Sequence, residues 1–181
     1  MLPGIFLDRD GVIIEHRPGY VRSLSDVVLY PNALAALARL KEREIKIAII
    51  TNQSAIGRGL MKAEIAAEIN WLVEKEIEKA GGRIDGTFTC PHHPQDGCLC
   101  RKPLPGLVLQ AVEALDIDLS HSVLIGDNLT DLQAGQAAGV PRLALVRTGL
   151  GALQVQAPRP EGLAEFTIHS DLEEALRYLL P

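Results

Sequence analysis

Asp8 and Asp10 stand two residues apart directly behind a short apolar run, Ile5-Phe6-Leu7. A second apolar run, Ile45 to Ile50, ends at Thr51 and Asn52, and a third, Ser122 to Ile125, ends at Gly126-Asp127. Carboxylates, a hydroxyl and an amide at separate strand ends are the parts of a phosphoryl-transfer site. Asp8 and Asp127 would hold Mg²⁺, a hard cation that prefers oxygen ligands and keeps several waters. The ion would lower the repulsion between a phosphate and an incoming carboxylate. Asp8 could then attack phosphorus to give an aspartyl-phosphate. Asp10 is placed to protonate the leaving alkoxide and later to deprotonate water. The Thr51 hydroxyl, the Asn52 amide and the Lys102 ammonium would neutralise the peripheral phosphoryl oxygens. One aspartate behind a strand is usually a cap or turn residue, and a lone Asp-x-Asp is a short motif. It is the convergence of three such strand ends that carries the inference.

A second group of chemically capable residues is compact. All three cysteines lie between positions 90 and 100, an odd count so tightly clustered that metal ligation fits better than a disulfide framework. Cys90, Cys98 and Cys100 with one imidazole, from His92 or from His93, would make a four-ligand tetrahedral zinc set with no open position. Closure argues for a structural metal. It would pin a loop over 90–103 and deliver Arg101 and Lys102 to the rim immediately afterwards. The plainer alternative is a set of reduced, buried cysteines beside solvent-facing histidines.

These residues need a scaffold that brings strand ends together. Short apolar runs alternate with amphipathic stretches along the chain. Pro31 opens a predicted helix to about Arg43, and residues 61–80 carry Ile65, Ile69, Leu72, Val73 and Ile77 at helical spacing up to Gly81-Gly82. Trp71 is placed on the apolar side of that helix, in the core. Thr87 to Thr89 reads as a strand, the stretch after Pro105 as a helix, Leu129 to Ala138 as a helix closed by Gly139, and Leu143 to Val146 as a strand. Ser170 and Glu173 read as a capping box for a last helix, and 149–162 as a surface loop. Alternating β and α units of this length imply a Rossmann-like, doubly wound, mainly parallel α/β sheet in one domain over 1–181. In such a sheet ligands sit beyond the carboxyl ends of the strands.

Composition narrows the function classes. The 181 residues are 47% hydrophobic, 23% charged and 4% aromatic, with a net charge of −5. That balance argues against a broad electrostatic grip on nucleic acid, yet a few local cations suffice for a small anion. No run approaches the ~18 apolar residues of a membrane span, so a cytoplasmic location and a monomer are the default expectations.

The motifs Phe6-Leu7-Asp8-Arg9-Asp10-Gly11-Val12, Thr51-Asn52-Gln53-Ser54, Arg101-Lys102-Pro103 and Gly126-Asp127-Asn128-Leu129-Thr130-Asp131 resemble, in order and spacing, the four motifs of the haloacid dehalogenase superfamily. The combination with the cysteine loop is similar to its heptose 1,7-bisphosphate 7-phosphatase branch and to the related histidinol-phosphate phosphatases. The resemblance implies Asp8 as nucleophile and Asp10 as general acid/base. It also implies a magnesium set of Asp8, Asp10 and Asp127, phosphate binding by Thr51, Asn52, Gln53, Ser54, Arg101 and Lys102, and support from Asn128 and Asp131. It selects His92 as the fourth zinc ligand and places His16, Arg17, Gly19 and Tyr20 on the substrate rim, where a solvated turn is the plainer reading. The second acid of the first motif argues for a phosphatase, since a dehalogenase has no alkoxide to protonate.

The intervals at 54–61 and 90–103 leave no room for a large cap, so a small phosphorylated metabolite is expected at an open rim. Five residues separate His92 from Cys98, a length that histidinol-phosphate phosphatases share. Arg17, Arg58, Arg101 and Lys102 nevertheless offer more cations than a monophosphate bearing its own amine requires. The rival of another class is a zinc-bearing binding module without catalysis, which would have no use for both Asp8 and Asp10.

Overall fold

In a computed structural model of the chain, which describes residues 1–180, the apolar runs pair into one six-stranded sheet. In chain order the elements are β1 (Leu2–Leu7), a 3-10 turn (Leu24–Asp26), α1 (Pro31–Ala38), β2 (Lys46–Asn52), α2 (Ser54–Gly57), α3 (Ala63–Lys79) and β3 (Gly86–Cys90). There follow α4 (Gly106–Leu115), β4 (Ile117–Gly126), α5 (Leu129–Ala138), β5 (Arg142–Val146), α6 (Gly151–Gln154), β6 (Thr167–His169) and α7 (Leu172–Leu179). The strand order is β3-β2-β1-β4-β5-β6 and every pairing is parallel.

Successive strand residues point to opposite faces, and the sequence is apolar at both parities. Ile5, Leu7, Ile47, Ile49, Val123 and Ile125 enter one core with α1, α3 and α7. Phe6, Ala48, Ile50, Leu124 and Leu145 enter the other, with α4 and α5. A strand buried on both faces has to read as a continuous apolar run, which is why these segments were predictable. Each fully buried Ile, Leu or Phe stabilises the fold by roughly 1.5–3 kcal/mol. The expected doubly wound architecture is the one observed. Past the strand ends run the segment between β1 and α1, with its 3-10 turn, the short α2, and the segment between β3 and α4, and no separate helical or sheet domain is inserted there among the described residues.

Several local expectations are corrected. The first helix stops at Ala38, not near Arg43, because 39–45 fold into turns whose carbonyls find another donor. The Arg83 guanidinium donates to Lys41 O, Arg43 O and Ile45 O. Trp71 is 61% exposed. The buried stripe of α3 is Ala66, Ile69, Val73 and Ile77, and a residue two places from both Ile69 and Val73 falls on the far side of a 3.6-residue turn. The cap of α7 sits one residue later than read: Asp171 accepts the Glu174 N–H at 2.9 Å, and Glu174 accepts the Ser170 N–H. The stretch 149–162 is not all loop, since it contains α6. The three-residue β6 was too short to read.

Candidate active site and thiol–imidazole cluster

The sheet reverses its winding between β1 and β4: β1 leads outward to β2 and β3, and β4 to β5 and β6. At such a switch point the loops diverge and leave a crevice beyond the strands. Asp8 and Asp127 are the first residues past β1 and β4. The Asp8 N–H donates to Ile125 O at 3.1 Å, extending the ladder by one residue.

Asp8, Asp127 and Asp131 each present an oxygen, and all three oxygens lie within 4.8 Å of one another. Asp131 comes from the first turn of α5. There its Oδ2 accepts the Asn128 N–H at 3.0 Å while Asn128 Oδ1 accepts the Thr130 N–H at 3.1 Å. That reciprocal cap leaves Asp131 Oδ1 for Lys102 Nζ, 2.7 Å away. Lys102, 3% exposed, also donates to Asp8 Oδ1 and to Ile50 O, both at 2.9 Å. Three carboxylates against one ammonium leave two negative charges, the deficit that a divalent cation removes. Asp127 Oδ2 is fixed by the Leu150 N–H at 2.8 Å. Gly11 and Gly149, both at positive φ, press so close to this carboxylate that a Cβ on either would strike Oδ2.

The electrostatics follow from burial. Removal from water pushes Asp8 up to about 7, with Asp131 and Asp10 adding to the shift and Lys102 opposing it. Burial likewise pushes Asp127 up to about 8, helped by Asp8 and Asp131. Burial alone would lower Lys102, but Asp131 and Asp8 outweigh it and hold the ammonium charged.

Asp10 is not in the three-acid group. Its Oδ2 lies 3.1 Å from Arg9 Nε and 3.0 Å from Gln53 Nε2, both of which donate to it. The Asp131 side chain, to which the sequence assigned only a supporting role, joins Asp8 and Asp127 in that group. Gln53 also donates to Thr51 Oγ1 at 2.8 Å, so both amide hydrogens are committed inside the protein. Asn52 exchanges two hydrogen bonds with the Lys102 backbone, at 3.1 and 3.2 Å. Both amides orient other groups, whereas Thr51 keeps its own hydroxyl proton to donate. Thr51, Ser54, Arg17, Tyr20, Arg101 and Lys102 line the same open pocket as Asp8, Asp10 and Asp127, together with His16 and Arg58. Gly19 does not line it. Tyr20 holds a left-handed φ of 67° at the rim, a conformation that side chains other than Gly, Asn and Asp rarely adopt. The backbone contribution of Leu150 to Asp127 has no sequence signal.

The cysteines and His92 converge beside this pocket. Cys90 Sγ is 3.7 Å from Cys98 Sγ and 3.5 Å from His92 Nδ1. Cys100 Sγ is 3.7 Å from Cys98 Sγ and 3.3 Å from His92 Nδ1. Sulfurs so far apart are not disulfide-bonded, since that bond is ~2.05 Å long. They match the edges of a tetrahedron whose centre is roughly 2.3 Å from sulfur and 2.0–2.1 Å from nitrogen. His92, not His93, is the imidazole grouped with the three sulfurs, and His93 Nδ1 accepts the Gln95 N–H. Burial raises Cys90, with Cys98 adding to the shift and Cys100 opposing it, and pushes Cys100 up to about 12, where both other thiols add to the shift. A central dication would relieve that repulsion. The loop is clamped on two sides by glycines, because a Cβ at Gly57 would meet the His92–His93 backbone and one at Gly106 the Leu99–Cys100 backbone.

Comparison with known proteins agrees with this geometry. Residues 19–139 match the family model described as haloacid dehalogenase-like hydrolase. The D-glycero-beta-D-manno-heptose-1,7-bisphosphate 7-phosphatase of Bordetella bronchiseptica is 39% identical over 159 residues, 87% of this chain and 88% of the relative. The enzyme of the same name from Escherichia coli K12 is 36% identical over 191 residues, 97% and 94% of the two chains. The crystal structure of the B. bronchiseptica D,D-heptose 1,7-bisphosphate phosphatase complexed with magnesium and phosphate superposes with a TM-score of 0.90, at 37% identity and covering 99% and 98% of the two chains. Likeness of that extent, carried by sequence and fold alike, makes this protein a member of the haloacid dehalogenase-like hydrolase family and a phosphatase.

Proposed function

We propose that the protein removes the 7-phosphate of D-glycero-D-manno-heptose 1,7-bisphosphate through an aspartyl-phosphate formed on Asp8. The observation that carries the chemistry is the gathering of Asp8, Asp127, Asp131 and Lys102, with Asp10 beside them, in one pocket. Mg²⁺, held by Asp8, Asp127 and Asp131, would supply charge neutralisation at the phosphoryl group and keep Asp8 ionised despite its burial.

An Asp8 oxygen attacks phosphorus. The bond from phosphorus to the sugar oxygen breaks, its electron pair leaves with that oxygen, and Asp10 supplies the proton. Water then attacks the aspartyl-phosphate, Asp10 takes the water proton, and the carboxylate of Asp8 departs with its electron pair. The Thr51 hydroxyl and the Lys102 ammonium face the phosphoryl oxygens. Asn52 holds Lys102 in place, and Gln53 holds Thr51 and Asp10.

The bisphosphate is favoured by the remaining cations. Arg58 makes no side-chain hydrogen bond or ion pair among the described residues, and Arg101 Nη1 is buried with no partner. Both line the pocket, where a second phosphate would satisfy them. The thiol–imidazole cluster holds a structural Zn²⁺. The protein acts as a cytoplasmic monomer. No helix is long and apolar enough to cross a membrane, and the large exposed apolar residues Trp71, Leu99 and Tyr178 lie on three separate elements.

Phosphate release from the heptose bisphosphate, other sugar bisphosphates and histidinol phosphate, with and without Mg²⁺, tests the reading. Magnesium-dependent preference for the heptose bisphosphate is expected. A preference for histidinol phosphate would overturn the substrate assignment.

A further inference from the structure

Between the two aspartates of the first motif stands a residue with no assigned role. Arg9 has the bulkiest fully buried side chain in the protein, at 0% exposure. A long cation is among the residues least often buried without partners, and packing alone would be met by Leu or Met. Its guanidinium faces two neighbours, Asp10 and Asn70. Nε donates to Asp10 Oδ2 at 3.1 Å, and Nη2 lies 2.9 Å from the same oxygen in ion-pair contact without the angle of a hydrogen bond. Nη1 donates to Asn70 Oδ1 at 2.7 Å, and Asn70 Nδ2 in turn donates to Thr89 Oγ1 at 3.1 Å. The chain of contacts thus runs from the first catalytic loop to α3 and on to β3. Both of its contacts lead to groups of the pocket or its frame, and a buried cation held this way is costly to desolvate compared with an apolar side chain of the same size, which argues that its placement serves something other than packing.

The geometry of Asp10 shows what that is. All three donors that approach it, Arg9 Nε, Arg9 Nη2 and Gln53 Nε2, converge on Oδ2. Oδ1 has no protein partner among the described residues, and Asp10 lines the pocket. One oxygen is anchored to the interior and the other is left for the substrate. We propose that Arg9 is the positioning residue of the general acid: braced by Asn70, it pins Asp10 Oδ2 so that Oδ1 is presented to the leaving oxygen. Gln53 supplies a weaker, neutral second anchor. The inference rests on the reading of Asp10 as proton donor.

The test separates proton delivery from every other role by varying the leaving group. A nitrophenolate departs from phosphorus with little protonation, whereas a sugar alkoxide needs it. For Arg9→Met the kcat/KM with heptose 1,7-bisphosphate should fall on the order of 10²-fold, the cost of a misaligned catalytic group, while that with p-nitrophenyl phosphate stays within about threefold. Asn70→Ala, which removes the brace and keeps the cation, should show the same split at smaller size, and it serves if Arg9→Met does not fold. Asp10→Asn is the control. If Asp10→Asn shows the split and neither Arg9→Met nor Asn70→Ala does, or if both lose the two substrates equally, the role of Arg9 is overturned. If Asp10→Asn itself shows no split, the assignment of the acid fails and the inference falls with it.

Discussion

At the scale of single residues, the site is a contest between burial and pairing. Asp8 touches Lys102 at 2.9 Å, yet burial still pushes its carboxyl up to about 7. The nucleophile is therefore ill at ease as an anion unless a cation joins it. Asp8→Asn removes that discomfort along with the attacking oxygen. Lys102 keeps Asp131 and Ile50 O as partners, so the variant should melt at or above the temperature of the metal-free parent. Its phosphate release should fall on the order of 10⁴-fold or more. Near-normal turnover would refute the assigned nucleophile. Asp8, Thr51 and Asp127 come together as the sequence placed them because strand ends in a parallel sheet share one rim, and Lys102 joins them from the loop after β3. Asn52 and Gln53 were read as phosphate ligands, since an amide can serve one. What the sequence did not carry is that both Gln53 amide hydrogens are engaged by Thr51 and Asp10 and one of the two on Asn52 by the Lys102 carbonyl, although both residues line the pocket. That the Asp131 side chain joins the acid cluster while that of Asp10 stands beside it has the same origin: which oxygen a carboxylate offers depends on neighbours distant in the chain.

At the scale of elements, the segment over 90–103 has no regular secondary structure after β3, and its shape comes from the thiol–imidazole cluster and two flanking glycines. Gly57 and Gly106 allow backbone to approach backbone, so a shift of the loop is transmitted to α2 and α4, and Arg101 and Lys102 follow the last cysteine directly. On the proposed zinc site, zinc content should be near one per chain in the parent and well below it in Cys98→Ser. The same substitution should also reduce kcat/KM by up to about 10²-fold through displacement of Lys102, the cation that pairs with Asp8 and Asp131. Elemental analysis paired with the phosphatase assay checks both. A zinc-free protein with full activity would remove the loop from the function. Long, strongly patterned elements such as α3 and α5 were predictable to within a few residues. The misreadings share one physical cause: they hinge on partners supplied from elsewhere. α1 ends where Arg83 collects carbonyls, Trp71 sits two places off the buried stripe, and β6 exists only because β5 offers an edge to pair with.

At the scale of the molecule, the winding reversal between β1 and β4 concentrates three acids at one rim, and this has a pH signature. Unfolded, Asp8 and Asp127 release protons near 3.8; folded and without metal they do so near 7 and 8. Between those values the folded state holds protons that the unfolded chain has lost, so this contribution is full below about pH 4 and is lost as pH rises toward 8. The surface carboxylates of Asp26, Asp118 and Glu174, the first two half-buried and all held low by their hydrogen bonds, act in the opposite sense. Their contribution disappears as pH falls through the acidic range, so the two effects occupy different windows. Mg²⁺ requires the ionised acids, must displace their protons, and binds more tightly as pH climbs through 7 and 8. The rise in melting temperature on adding Mg²⁺ should accordingly be negligible near pH 5 and largest near pH 8, growing across the interval in which Asp8 and Asp127 titrate. Asp127→Asn should flatten that growth while leaving the acid-side behaviour set by Asp118 unchanged. A magnesium shift that is equal at both ends of the range would mean that the ion does not bind where the reversed winding has gathered the acids.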